Sequence, residues 1–184
     1  MFSHIKFSDL AQWIGLPAPK GDFTVASIST DSRTLKKGDV FLALKGENFD
    51  GNQYVDKALI AGASGLIVEK SGQYSVPTLI VPDGLKAFAA IGKRLRAKFR
   101  GPVFAVTGSA GKSSTKEMIG TMLGAKSVRS PASFNNLLGV SKTLCLVTDG
   151  TEQLVLEMGM NNFGEIKELC ETFSPQFGAI TNIG

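Results

Sequence analysis

The sequence predicts an α/β protein: a small mixed α/β N-terminal domain followed by a truncated parallel-sheet domain. Three observations lead there. From residue 103 onward, apolar runs alternate with helical stretches, the pattern of βαβ units and a parallel sheet. One of those runs leads into a loop of small residues, Thr107-Gly108-Ser109-Ala110-Gly111, at the head of a helix. The chain then stops on another apolar run, Phe177-Gly178-Ala179-Ile180, which needs neighbours and a covering helix, so a fragment is expected.

Composition narrows the class. A chain of 184 residues makes one ordinary domain or two small ones. With 43% hydrophobic and 20% charged residues it has the balance of a soluble globular protein, able to build a core without metal or disulfide staples. A net charge of +4 is compatible with acidic ligands such as nucleotides but identifies no partner. Cys145 and Cys170 form no CxxC and the single histidine, His4, is near the N-terminus, which argues against a Cys/His zinc site. Thiols at unrelated spacing fit a reducing cytosol, as small buried apolar groups. The first residues show no basic stretch followed by an apolar one, and no run of about 18 apolar residues occurs, so a cytoplasmic protein without a membrane span is expected.

The elements follow in order. Ser8 is placed to cap a short helix over 9–14, stopped by Gly15 and Pro17. Residues 23–28 and 39–44 read as strands around a polar loop. Asp50-Gly51 makes a turn, and 54–62 reads as a helix with Val55, Leu59 and Ile60 on one side. Short apolar strands follow at 65–69 and 78–81, and Pro82-Asp83-Gly84 closes a first domain, 1–83, ahead of a second, 84–184. An amphipathic helix over 85–100 carries Leu85, Phe88, Ile91, Leu95 and Phe99 at helical spacing and six basic residues elsewhere on its surface. Lacking interleaved aromatics or a second basic patch, it is a solvated linker helix rather than a nucleic-acid or membrane site. Strands at 103–106, 126–129, 153–157 and 177–182 then alternate with helices at 112–123, 138–147 and 164–172.

The chemistry concentrates at residues 103–114. A strand runs into a glycine-containing loop, whose amides can wrap phosphate oxygens because glycine lets the backbone approach closely. The helix N-terminus adds partial positive charge, Lys112 a full charge for the β- and γ-phosphates, and the Ser113 hydroxyl a ligand for Mg²⁺. The general pattern G-x-x-x-x-G-K-S/T wants a glycine where Val106 stands. The plain alternative is a strand–turn–helix with a capping serine, but the strand before and the helix after are what phosphate binding requires.

The variant Thr107-Gly108-Ser109-Ala110-Gly111-Lys112-Ser113-Ser114 resembles the loop of the Mur ligases, which join amino acids or peptides to UDP-N-acetylmuramic acid precursors. Other segments are similar to the same family: Ser29-Thr30-Asp31-Ser32-Arg33, Gly38-Asp39-Val40-Phe41, Ala43-Leu44-Lys45-Gly46 with Asp50-Gly51, Ser133-Phe134-Asn135-Asn136 with Gly139-Val140, Glu157-Met158-Gly159-Met160, and Ile180-Thr181-Asn182-Ile183-Gly184. Ser141 stands where the family usually has proline. Lys116-Glu117-Met118 after the loop looks more like the MurF type than the MurE type.

The resemblance implies ATP-dependent activation of a carboxylate as an acyl phosphate and its capture by an amine; for the MurF type, the substrates are UDP-N-acetylmuramoyl-tripeptide and D-alanyl-D-alanine. It implies ATP on residues 107–114, Lys112 against the developing γ-phosphate charge, and Mg²⁺ on Ser113 and Glu157, the latter at the C-terminal end of a strand where open α/β sheets place ligands. Asn135 and Asn136 would reach substrate or phosphate, or else serve a turn that favours Asn. Ser32 and Arg33 would face the UDP part, Glu47 and Asn48 the uridine side, and Asp31 would order its turn. The family's histidine segment, modified lysine and third domain have no counterpart here, so this stretch alone is not expected to turn over. Three alternatives stay open: a MurE-type ligase, a stand-alone UDP-sugar or nucleotide-binding module, and another phosphate-loop kinase or NTPase, against which residues 30–33 speak.

Overall fold

The computed structural model describes residues 2–46 and 49–183. Two compact units divide the chain, residues 1–91 and 92–184.

In the first unit, helix α1 (Phe7–Trp13) precedes strands β1 (Ile28–Ser29) and β2 (Val40–Leu42), a hairpin of β3 (Lys45–Gly46) and β4 (Phe49–Asp50), helix α2 (Val55–Ile60), and strands β5 (Gly65–Val68) and β6 (Thr78–Ile80). The sheet runs β1-β2-β5-β6, all parallel. Every residue of β2 and β5 is buried, as in central strands covered on both faces.

Local chemistry moves several boundaries. Helix α1 begins before Ser8, because the Asp9 carboxylate accepts the Lys6 amide at 2.8 Å and thereby ties back the first turn. Ser8 instead donates its hydroxyl to Asp22 at 3.0 Å. The strand expected over 23–28 shrinks to β1, since residues 23–25 run beside the start of α1, with Phe7 N–H on the Phe23 carbonyl and Val25 N–H on that of Ile5. In α2 the inward face is Val55 and Ala58, and Ile60 is 87% exposed, not on the packed side. The hairpin β3–β4 was not foreseen. It ends at Gly51, where any Cβ would sit 2.7 Å from Leu44 backbone atoms.

Helix α3 (Gly84–Lys98) buries Ala87, Phe88, Ile91 and Leu95. Its first amide, at Gly84, donates to Glu69 Oε1 at 2.8 Å in the first unit. Gly92 lies against Ser141 and Phe173 in the second. The compact units divide between Ile91 and Gly92, inside this helix.

The second unit holds β7 (Val103–Thr107), α4 (Lys112–Leu123), β8 (Ser127–Arg129), α5 (Leu137–Cys145), β9 (Gln153–Glu157), α6 (Glu165–Phe173) and β10 (Phe177–Ile180). Its parallel sheet runs β10-β7-β9-β8. β9 and β8 lie on one side of β7 and β10 on the other, so the order reverses at β7, the topological position where open α/β sheets bind ligands beyond their strand ends. The register aligns those ends: Val106 pairs with Glu157, and Thr107 with Ile180. Among the described residues no helix is long and apolar enough to cross a membrane.

Candidate functional site

At the end of β7 the chain turns through Gly108 with φ +139°, and a Cβ there would lie 2.2 Å from Thr181 Oγ1. Only glycine lets the loop press so closely onto the residues after β10. The Ser109 amide donates to the Asn182 carbonyl and the Thr181 amide to the Thr107 carbonyl, both at 2.9 Å. The Thr181 hydroxyl is shared between the carbonyls of Thr107 and Ala110.

Gly111, at φ +80°, is the N-cap of α4 and brings no side chain to the helix end. The amides of Lys112, Ser113 and Ser114 open that helix, where no preceding turn supplies carbonyls, and they add the positive end of the helix dipole. Lys112 Nζ folds back over the loop, 2.6 Å from the Gly108 carbonyl oxygen. Beside it lies a cavity of about 460 Å³ whose lining includes Thr107, Gly108, Ser109 and Lys112 together with Met160, Ile166 and Ile180. Its volume suits a small ligand, and its lining joins a cationic group to apolar ones.

Next to the loop, Glu157 is buried. Ser113 Oγ donates to its Oε2 at 2.9 Å and Asn135 Nδ2 to its Oε1 at 3.2 Å. Lys116 Nζ is 3.4 Å from Oε2, with both side chains almost wholly out of water at 1% and 2% exposure. Two charges survive such burial only when each is paired and hydrogen-bonded. Lys116 meets that condition, since Nζ also donates to the Ala132 carbonyl at 2.8 Å and lies 3.3 Å from Glu117 Oε1. The Glu157 amide in turn donates to Ser130 Oγ at 3.1 Å. The sequence offers Lys116 only as part of a family-like motif and no role for it, because a lysine in a polar helix reads as surface. The available signal was its spacing of three from Ser113, which places both on one helix face.

The other candidate residues are distributed as follows. Asn136 caps α5, its Oδ1 accepting the Gly139 amide at 2.9 Å, so of the two asparagines only Asn135 faces the carboxylate. In the first unit, Asp31 orders its turn by accepting the Arg33 amide at 2.9 Å. It also holds the Arg33 guanidinium at 2.7 Å, an ion pair that raises the arginine above its ordinary pKa. Ser32 sits half-buried between them. Glu47 and Asn48 lie outside the described residues.

The oxygen donors suit a hard divalent cation. No cluster of three or more His, Cys, Asp or Glu side chains able to enclose an ion occurs among the described residues. One carboxylate beside one hydroxyl, Glu157 and Ser113, fits Mg²⁺, which fills its remaining positions with phosphate oxygens and water.

Residues 24–121 match the Mur ligase family, catalytic domain, and residues 106–184 the Mur ligase middle domain. The chain belongs to the Mur ligase family. Among Mur ligases it is 38% identical over 169 residues to the UDP-N-acetylmuramoyl-tripeptide–D-alanyl-D-alanine ligase of Synechocystis sp., across 89% of this chain and 37% of that protein. The structure of MurF from Acinetobacter baumannii matches with a TM-score of 0.85 at 34% identity, over 95% of this chain and 40% of that one. MurF ligase from Thermotoga maritima in complex with ADP matches at 0.75 and 31% identity, over 86% and 38%. The chain thus spans little more than a third of the length of the curated Mur ligase it matches.

Proposed function

We propose that this chain supplies the UDP-precursor region, residues 1–83, and the nucleotide site, within residues 84–184, of a cytoplasmic ATP-dependent ligase of peptidoglycan precursor synthesis. The reaction joins D-alanyl-D-alanine to UDP-N-acetylmuramoyl-tripeptide through an acyl phosphate. The observation that carries this reading is the loop from Thr107 to Ser113, bent by two positive-φ glycines onto the head of α4 with a lysine folded over it. Such a loop is built for an anion and has little other use. The relatives' names and the ADP of the Thermotoga structure support nucleotide and precursor as its ligands.

Phosphoryl transfer needs positioning and charge neutralisation more than covalent chemistry. The amides of residues 110–113 would hold the β-phosphate, and Lys112 would leave the Gly108 carbonyl for the γ-phosphate. Ser113 and Glu157 would hold Mg²⁺, which supplies charge neutralisation on the transferred group. Asn135 keeps Glu157 aimed at that position. Ser32 and Arg33, with Glu47 and Asn48, would receive the UDP end of the precursor, the guanidinium suiting a diphosphate.

Calorimetry of ADP with Mg²⁺ on the 184-residue chain tests the nucleotide site. Lys112→Ala is expected to weaken binding about tenfold or more, or about 1.4 kcal/mol. Absence of binding by the unaltered chain, or equal binding by the variant, refutes the reading. A parallel titration with the UDP-linked tripeptide tests the first region, where heat should appear whether or not nucleotide is present.

A further inference from the structure

Lys116 is four residues beyond Lys112 on α4, yet it never reaches the loop. Its ammonium is sealed behind the site, 3.4 Å from Glu157 Oε2, 2.8 Å from the Ala132 carbonyl and 3.3 Å from Glu117 Oε1. Ala132 has φ +45°, a left-handed conformation that a non-glycine residue holds only when its surroundings impose it. The carbonyl of this strained residue faces the ammonium, and three residues later the same loop delivers Asn135 to the other oxygen of Glu157. One cation therefore ties together three segments distant in sequence: helix α4, the end of β9 and the loop before α5. The three groups that converge on the front of the site, Ser113, Asn135 and Glu157, come from those same three segments.

We infer that Lys116 is a positioning residue for the metal–nucleotide site: it fastens Glu157 Oε2 and the Ala132 carbonyl to the phosphate-loop helix, and so sets the carboxylate where a phosphate-bound Mg²⁺ is taken. The inference rests on the reading of residues 107–113 as a nucleotide site. Lys116 touches neither nucleotide nor metal; it acts through Glu157, as groups behind metal ligands do.

The test is ADP titration of the 184-residue chain, once with Mg²⁺ and once with EDTA, for the unaltered protein, Lys116→Met and Lys116→Arg. The quantity read is the ratio of the two affinities. A merely structural lysine would weaken both titrations together and leave the ratio alone. Loss of a group behind a metal ligand costs about 10–100-fold in metal affinity, so Lys116→Met should lower the ratio by about that factor. Lys116→Arg, whose planar fork meets the same acceptors at other distances, should fall between. Because the arginine keeps a charge opposite Glu157 and hence the fold, its ratio decides the matter should the methionine variant not fold. Unchanged ratios in the folded variants overturn the inference alone. Equal binding with Mg²⁺ and EDTA by the unaltered chain also overturns it. No ADP binding in either buffer overturns the nucleotide reading and this inference with it.

Discussion

Each unit contains a four-stranded parallel sheet, and each has a glutamate at the C-terminal end of a central strand, but the two acids do different work. Glu69 follows β5 and accepts the first amide of α3, at Gly84. Glu157 ends β9 and faces a hydroxyl, an amide and an ammonium gathered from two other segments. Both acids stand at the C-terminal ends of parallel strands, although only the second sheet reverses its order, at β7. A carboxylate there becomes a helix cap when a helix start faces it, and a site when separate segments converge on it with mobile or exchangeable donors. Strand position alone does not separate the two cases; the facing groups do.

The contrast can be broken most forcefully at Glu157. Replacing it with alanine strands the buried Lys116 ammonium, and urea unfolding should show a loss of about 3–5 kcal/mol. A loss no larger than that of an ordinary surface substitution would mean the pair is not sealed from water. Glu69→Ala removes a cap from a helix start, and the same measurement should give about 0.5–2 kcal/mol, with nucleotide binding untouched. If Glu69→Ala proved as damaging as Glu157→Ala, the division of labour between the two acids would fail.

The smallest effect is an acid-side one in the first unit. Hydrogen bonds from Lys70 and Asn52 hold the Asp50 carboxyl at about 2, below its ordinary 3.8. A depressed carboxylate adds stability that is present above the unfolded value and lost as pH falls through the folded one. Thermal melts from pH 4 to pH 2 should therefore lose part of their slope in Asp50→Asn, while the profile above pH 5 stays flat. A variant whose acid profile matches that of the unaltered chain would show that the Asp50 contact contributes nothing.

Much of the second unit could be read in the residues. Strand β9 and helix α4 start and end where their apolar runs and the loop glycines indicate, because long periodic segments leave few alternatives. The bends of the loop before α4 were legible too, because positions 108 and 111 hold the positive φ that favours glycine. The first unit was harder, since its strands are only two to four residues long and their ends are set by contacts far apart in sequence. Phe23 belongs beside α1, which no local pattern announces. Ile60, expected on one side with Val55 and Leu59, points outward because five residues beyond Val55 it lies about 140° round the helix. At the site, Ser113 and Glu157 were both expected on one metal and stand 2.9 Å apart. Asn136 caps a helix, and Lys116 carried no role in the sequence because its position behind the site depends on burial, which charge patterning conceals.

The bond between Thr181 and Thr107 spans more than seventy residues, and it ties the start of the loop to the segment after β10. Synthesis from the N-terminus therefore releases every loop residue long before the segment that moulds it. A nascent chain halted ahead of β10 would possess the complete glycine–lysine signature and still lack the Thr181 contacts that hold the loop. On the proposed nucleotide reading, ligand competence would wait for β10, and ADP titration of chains ended at residue 176 should show weaker binding than the 184-residue chain.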